Sequence, residues 1–229
     1  MYELSEKNKK ISEMFSDIAP TYDFLNHYLS FNIDRIWRKK SVSLTKGNRI
    51  LDVATGTCDV ALEILKQRPD GYVVGVDLSY GMLISGKTKI KGKNIELVCA
   101  PAENLPFKDE SFDSIIISFG IRNIPDKISA LYEFKRVLKR GGKLVILEFN
   151  KPVYYSFGKL YDFYSTKLLP FFGKIISGHG SAYSYLPTSI KYFPDVEFLK
   201  SMIERVGFER VEYMPLTFGI SFVHTAYKI

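Results

Sequence analysis

From position 49 onward, two hydrophobic patterns alternate along the chain. Short β-branched runs occupy 50–54, 72–77, 95–99, 112–118 and 143–149, and between them apolar residues recur at helical spacing. Ser79 predicts the start of a helix carrying Met82 and Leu83. Asp126 opens another, with Ala130, Leu131, Phe134, Val137 and Leu138 on one face and Gly141-Gly142 as its stop. A last helix begins at Pro194-Asp195, turns Phe198, Leu199, Met202, Ile203 and Val206 inward, and ends at Gly207. Two terminal runs, 208–214 and 218–227, are joined by a Pro-Leu-Thr-Phe-Gly link short enough for an antiparallel pair. The alternation predicts an α/β fold, doubly wound on a mostly parallel sheet.

Two regions stand outside the alternation. Residues 1–48 and 150–193 are rich in Tyr and Phe, which predicts ordered covers over the carboxyl edge of the sheet, where open α/β folds bind ligands. No internal repeat divides the chain, and a single domain over 1–229 is expected.

Composition narrows the class. A chain of 229 residues with 46% hydrophobic and 25% charged residues is globular in usage, which argues against disorder. No run approaches the roughly 18 apolar residues of a membrane span, and the start is polar. Cys58 and Cys99 are too far apart for a metal knuckle, and His27, His179 and His224 lack metal-ligand spacing, so no metal is expected and a reducing cytoplasm fits. A net charge of +7 suits an anionic partner, either nucleic acid or an anionic bilayer. The cations stand in small groups such as Arg35, Arg38, Lys39 and Lys40, the usual mark of solvated faces, so nucleic acid is not expected.

The segment 50–59, Ile-Leu-Asp-Val-Ala-Thr-Gly-Thr-Cys-Asp, reads as strand, tight turn and helix start, the layout of a nucleotide loop. Gly56 lets the backbone approach a ligand, but Thr55 and Cys58 fill places that a pyrophosphate-binding loop gives to glycine. Asp52 and Asp59 would repel phosphates and suit an ammonium and a sulfonium. S-adenosylmethionine therefore fits better than NAD. Asp77 ends the second strand roughly 20 residues beyond Gly56, where a carboxylate accepts ribose hydroxyls, with a plain helix cap as the alternative. Downstream, 102–107 offers an amide and an apolar wall for adenine, and Ser118-Phe119-Gly120 ends the fourth strand beside the expected methyl donor.

Together these segments resemble the menaquinone and ubiquinone biosynthesis C-methyltransferase family over nearly the whole chain. The resemblance is carried by Phe15, Tyr22-Asp23, Asn26, Ser30-Phe31, Arg35 and Trp37-Arg38, then by Leu105-Pro106-Phe107, Phe119-Gly120-Ile121-Arg122-Asn123, Leu147-Glu148-Phe149 and Tyr183-Ser184-Tyr185-Leu186. It implies a seven-stranded sheet of the class I S-adenosylmethionine-dependent methyltransferase type with an antiparallel last strand. Asp52, Gly56, Thr57, Asp77, Pro101, Ala102 and Ser118 are then the donor-binding candidates. Departures are Thr55, Cys58 and Pro101 near the donor, and Asn32, Asp34 and His179 near the acceptor.

The implied reaction is methylation of a ring carbon in a prenylated quinol, demethylmenaquinol first and a polyprenyl benzoquinol as the alternative. Other small-molecule methyl transfer, or a cofactor-binding or RNA-associated protein without turnover, are the rival classes. Arg122 and Asn123, at the carboxyl end of the fourth strand, are candidates to hold a phenolate oxygen or a water, with an Arg122–Asp126 pair as the structural alternative. Tyr22 and Asp23 are candidates for the other quinol oxygen, and Asp23 is alternatively a helix cap. Glu148 either orients this group or pairs with Arg122 for structure only. The aromatic stretch 154–172 suits a helix lying on a membrane surface, core packing or a homodimer interface, so peripheral membrane contact from the cytoplasmic side is an expectation.

Overall fold

The computed structural model describes residues 5–150, 185 and 188–229, except for the side chains of residues 25 and 29. Seven strands form one sheet in the order β3-β2-β1-β4-β5-β7-β6. They are β1 (Arg49–Val53), β2 (Tyr72–Asp77), β3 (Ile95–Cys99), β4 (Phe112–Ser118), β5 (Leu138–Phe149), β6 (Glu209–Leu216) and β7 (Ser221–Tyr227). The first five are parallel, whereas β7 runs antiparallel to both β5 and β6. Chain order reverses at β1, which lies between β2 and β4, so a crevice opens at the carboxyl ends of these three strands.

Helices cover both faces. They are α1 (Glu6–Leu29), α2 (Ile33–Ser43), α3 (Asp59–Gln67), α4 (Tyr80–Lys87), α5 (Lys127–Val137) and α6 (Val196–Arg205). Alternate residues of the buried strands feed two cores. Leu51, Val53, Ile115, Ile117 and Ile146 pack against α5 and α6 through Leu131, Phe134 and Ile203, while Ile50, Ile116 and Val145 face α2 and α3 through Val42, Ala61 and Ile64. Burying a strand on both faces explains its unbroken apolar runs.

The predicted helix starts hold. Ser79, Asp126 and Asp195 each accept a backbone N–H three residues on, supplying a partner to an otherwise orphaned donor. Several predicted boundaries move. Ala54 turns out of β1 at φ +52°, so that strand spans Arg49–Val53. Helix α5 stops at Val137, well before the two glycines, because Leu138 already pairs with Phe112 in the sheet. Gly141, at φ +71°, instead belongs to an irregularity inside β5, and its N–H donates to Lys228 O. Phe198 is exposed, since it lies about 100° around α6 from Leu199 and off the buried stripe of Leu199, Met202 and Ile203. Phe218, placed in the last strand by pattern, sits in the turn before it at φ +56°.

Within the first expected cover, residues 5–44 are mostly helical, as α1 and α2. Ser5 caps α1, and Phe31 and Asn32 turn the chain into α2 at φ +52° and +60°. Trp37 of α2 packs on Phe119 and Phe149 and donates Nε1–H to Thr217 at 2.8 Å, tying the cover to the β6–β7 turn. The second predicted cover, 150–193, lies outside the described residues except at positions 150, 185 and 188–193.

Candidate active site

Two cavities meet beneath the α1 cover. The first, about 720 Å³, opens at the carboxyl ends of β1, β2 and β4 and is lined by Ala54, Gly56, Asp77, Ala102, Ser118 and Asn123, among others. The second, about 650 Å³, is lined by Asn26, Ser30, Asp34, Arg38, Arg122 and Tyr185, again among others. Phe15, Tyr22 and Phe119 line both.

Local sequence explains the shape of the first cavity. Gly56 holds φ +55°, and a Cβ built there meets nothing, so the loop presents bare backbone to open space. Its N–H donates to Asp77 Oδ2 at 2.8 Å, and Asp77 Oδ1 accepts the N–H of Ser79 at 2.8 Å. Each carboxylate oxygen keeps acceptor capacity for a further donor. Burial raises the Asp77 pKa, opposed by those backbone hydrogen bonds. At the end of β4, Ser118 Oγ is buried without a hydrogen-bond partner on the wall of this cavity. An unmatched Oγ, a carboxylate with acceptor capacity to spare and bare backbone along one cavity suit a polar ligand with hydroxyl and ammonium groups.

Other donor candidates sit elsewhere. Asp52 is buried under the loop, where it accepts from Thr55 Oγ1 at 2.6 Å. Burial, together with the charge of Asp77, pushes it up to about 7 against that hydrogen bond. Asp59 faces away from the cavity toward His27, Arg38 and Lys89. Thr57 is buried and donates to Asp23. Pro101 is absent from the lining, whereas its neighbours Ala100, Ala102 and Glu103 contribute to it. Phe107, expected as part of an adenine wall, instead packs edge-on against Phe112, and Ile11, Phe15, Leu78 and Met82 supply the apolar wall. Cys58 is inert as a nucleophile, since burial pushes its thiol up to about 12.

The second cavity assembles around Arg122. Its Nη1 donates to Glu148 Oε1 at 2.7 Å and to Phe119 O at 2.5 Å, while Nε reaches Ser189 Oγ at 3.3 Å. The guanidinium also lies over the Phe149 ring at 5.5 Å. Asp126 is not its partner, being occupied with Ser129 at the start of α5. Asn123 Oδ1 accepts from Tyr185 Oη at 3.1 Å. Tyr22 is half-buried, and loss of solvent raises its pKa despite the opposing charges of Arg122 and Arg38. The structure thus brings Arg122, Asn123 and Tyr22 to the junction of the cavities. Asp23 does not join them, for its carboxylate binds Thr57 and Lys89 and ties α1 to the donor loop. The sequence places Asp34 near the acceptor and Arg38 in the family-like segment without assigning either a role; their helical offset of four residues, which puts both on one face of α2, is the signal of the pair.

The model of the ubiE/COQ5 methyltransferase family matches residues 3–228. The chain belongs to that family. It is 48% identical to the ubiquinone/menaquinone biosynthesis C-methyltransferase UbiE of Geobacter sulfurreducens, over 100% of this chain and 92% of the relative. With the protein of that name from Francisella philomiragia it shares 46% identity over 97% and 92%. Among solved structures, a possible histamine N-methyltransferase from Thermotoga maritima superposes with a TM-score of 0.67 at 21% identity, covering 96% of this chain and all of that one. Haemonchus contortus phosphoethanolamine N-methyltransferase 2, in complex with S-adenosyl-L-methionine, gives 0.64 at 16% identity, over 90% of this chain and 56% of that one. These two likenesses show the fold. As a member of the family the chain is a methyltransferase, and S-adenosylmethionine is its methyl donor. No helix among the described residues is long and apolar enough to cross a membrane.

Proposed function

We propose that this methyltransferase methylates a ring carbon of a prenylated quinol in quinone biosynthesis, with demethylmenaquinol as first choice and a polyprenyl benzoquinol as second. The observation that carries the reading is the junction of two cavities at Phe15, Tyr22 and Phe119, one suited to the donor and the other aromatic and cationic. Full-length identity to the UbiE proteins supports the same acceptor class.

Asp77 and the backbone at Gly56 would hold the donor's ribose and amino-acid groups, and Ser118 Oγ would meet a polar atom near the reacting centre. The bound donor supplies an electrophilic methyl on a positively charged sulfur. A quinol ring becomes a strong carbon nucleophile as its hydroxyl loses a proton, so the protein must favour phenolate charge. Arg122, fixed by Glu148 and Phe119 O, is placed to do so. Tyr22, kept protonated by burial, can donate to an oxygen of the ring.

Peripheral membrane contact fits the same reading, since prenylated substrates reside in lipid. Phe24, Tyr28 and Ile36 are exposed near Arg35 and Lys39, and the chain carries a net charge of +7. The deciding assay uses purified protein, labelled donor and each acceptor in reduced and oxidised form. Label is expected in the lipid only with the quinol, and equal labelling of the oxidised quinone would overturn the mechanism. Preference between naphthoquinol and benzoquinol is read from the same assay.

A further inference from the structure

Among the described residues that line the acceptor cavity, Asp34 is the one carboxylate. It is buried on the first turn of α2, with Oδ1 accepting from Ser30 Oγ at 2.6 Å. Its Oδ2 meets Arg38 Nη1 and lies 2.8 Å from His27 Nδ1 on α1. The other ring nitrogen of His27, Nε2, is 3.2 Å from Asp59 Oδ2 on α3. Asp59 also holds Lys89 Nζ at 2.8 Å and lies 3.6 Å from Arg38 Nη1, and Lys89 in turn reaches Asp23. His27, Arg38 and Asp59 line a different, outer cavity on the far side of the cover. A continuous line of proton-exchanging groups therefore runs from the acceptor cavity, through Asp34 and His27, to Asp59 and the outside.

We propose that Asp34 and His27 act together as the base that removes a hydroxyl proton from the acceptor, and that Asp59 passes this proton to the outer cavity. The proposal rests on the quinol reading above. In the first step the O–H bond breaks, its electron pair stays on oxygen, and the proton goes to Asp34. Asp34 then protonates His27 at Nδ1 while the Nε2 proton moves to Asp59 and on to solvent. With the phenolate formed, the ring carbon bonds to the methyl as the donor sulfur keeps the pair of the breaking C–S bond. The hydrogen on that carbon leaves as a proton to solvent and its pair restores the aromatic ring, while a proton returns to the oxygen along the same line, from Asp59 to His27 Nε2 and from Nδ1 through Asp34, which resets the imidazole. One proton is released per methyl transferred, and no oxidant or metal enters the balance.

The other groups at the junction are poorly suited to this task. Arg122 is a guanidinium with donors only, and burial favours the protonated form of Tyr22. Imidazole, by contrast, exchanges protons readily near neutral pH. The competing explanation is that the cluster of Asp34, His27, Arg38, Asp59, Lys89 and Asp23 merely clamps α1 to α2 and α3.

The experiment compares wild-type protein with His27→Gln, His27→Ala and Asp59→Asn. Single-turnover methyl transfer to reduced demethylmenaquinone is followed from about pH 6 to about pH 10, with donor affinity measured by calorimetry on the same preparations. Glutamine can bridge the two carboxyl groups but cannot relay a proton. Donor affinity should stay within about twofold of wild type, while transfer by His27→Gln near neutral pH falls on the order of 100-fold, a size usual for losing a positioned base. The deficit should shrink toward about pH 10, where a phenol ionises unaided. Added imidazole should restore part of the rate in His27→Ala, and Asp59→Asn should show a smaller deficit of the same pH form. A near-normal rate in His27→Gln, or a deficit that is constant with pH and unmoved by imidazole in His27→Ala, would leave a clamp and overturn the relay. Failure of the wild-type protein to label any quinol would overturn the functional reading and the relay with it, an outcome separate from failure of the variants alone.

Discussion

Glu148 accepts from Arg122 twice, at 2.7 Å from Nη1 and at 3.2 Å from the backbone N–H, so one buried carboxylate fixes both the main chain and the side chain of its partner. The guanidinium is thereby aimed before any acceptor arrives. Arg122→Ala is expected to bind donor nearly normally and to transfer methyl roughly 100- to 1,000-fold more slowly, for a loss of about 2.7–4 kcal/mol of charge stabilisation. It also strands Glu148, which should destabilise the fold by about 3–5 kcal/mol. Adding Glu148→Gln should restore stability without restoring transfer. Chemical denaturation and single-turnover kinetics on both variants separate the two effects. Recovery of transfer in the double variant would reduce the pair to a structural role.

Asp77 should govern donor affinity. Asp77→Ala removes an acceptor for hydroxyls and also releases the N–H groups of Gly56 and Ser79. An expected loss of about 1.5–3 kcal/mol corresponds to roughly 10- to 150-fold in affinity. Because burial raises the pKa of this group, wild-type affinity should begin to fall with decreasing pH sooner than an ordinary carboxylate would dictate. Calorimetry across pH checks both statements, and unchanged affinity in a folded Asp77→Ala protein removes this residue from the site.

A stability cost is predicted under the donor loop. Asp52 is raised to about 7 in the fold, chiefly by burial, so between the unfolded carboxylate range and about pH 7 the folded protein holds a proton that the unfolded chain has lost. The sign follows directly: the contribution of Asp52 to stability is complete at low pH and declines as pH rises through that window, by up to about 1.4 kcal/mol per pH unit. Asp52→Asn keeps an acceptor for Thr55 and should flatten this part of the profile. Urea unfolding at several pH values measures it; a profile as steep as the wild type's would show that Asp52 ionises freely in the fold.

Asp23 offers a contrast with Arg122. Its carboxylate joins Thr57 of the donor loop to Lys89, and it is about a quarter exposed. Exposed ion pairs of this sort contribute about 0.2–1 kcal/mol. Asp23→Asn should therefore weaken donor binding only a few-fold and leave the rate at saturating donor within about threefold of wild type. A loss of two orders of magnitude in that rate would return Asp23 to the chemistry of the acceptor.

Much of this protein was legible in its sequence because the determining physics is local. Short β-branched runs and period-3.6 patterns marked the strands and helices, side-chain caps at Ser79, Asp126 and Asp195 marked where helices begin, and the turn around Gly56 marked the donor loop. Arg122 and Asp77 could be singled out because each stands at the carboxyl end of a strand, and strand ends converge wherever a parallel sheet reverses its order. What the pattern could not supply was the partner of each polar group. Asp23 and Asp34 are both acids on the helical cover, eleven positions apart. Only the fold turns Asp23 outward to Thr57 and Lys89, and Asp34 inward to the acceptor cavity and His27. That choice depends on how α1 packs on α4 and where the turn at Phe31 and Asn32 sets α2 against α3, contacts between residues distant in sequence. The same reason decided that Gly141-Gly142 lies inside a strand: pairing of Leu138 with Phe112 and of Gly141 with Lys228 outweighs the local stop signal. Long-range pairing and burial set these outcomes, and they become available only once the chain has closed on itself.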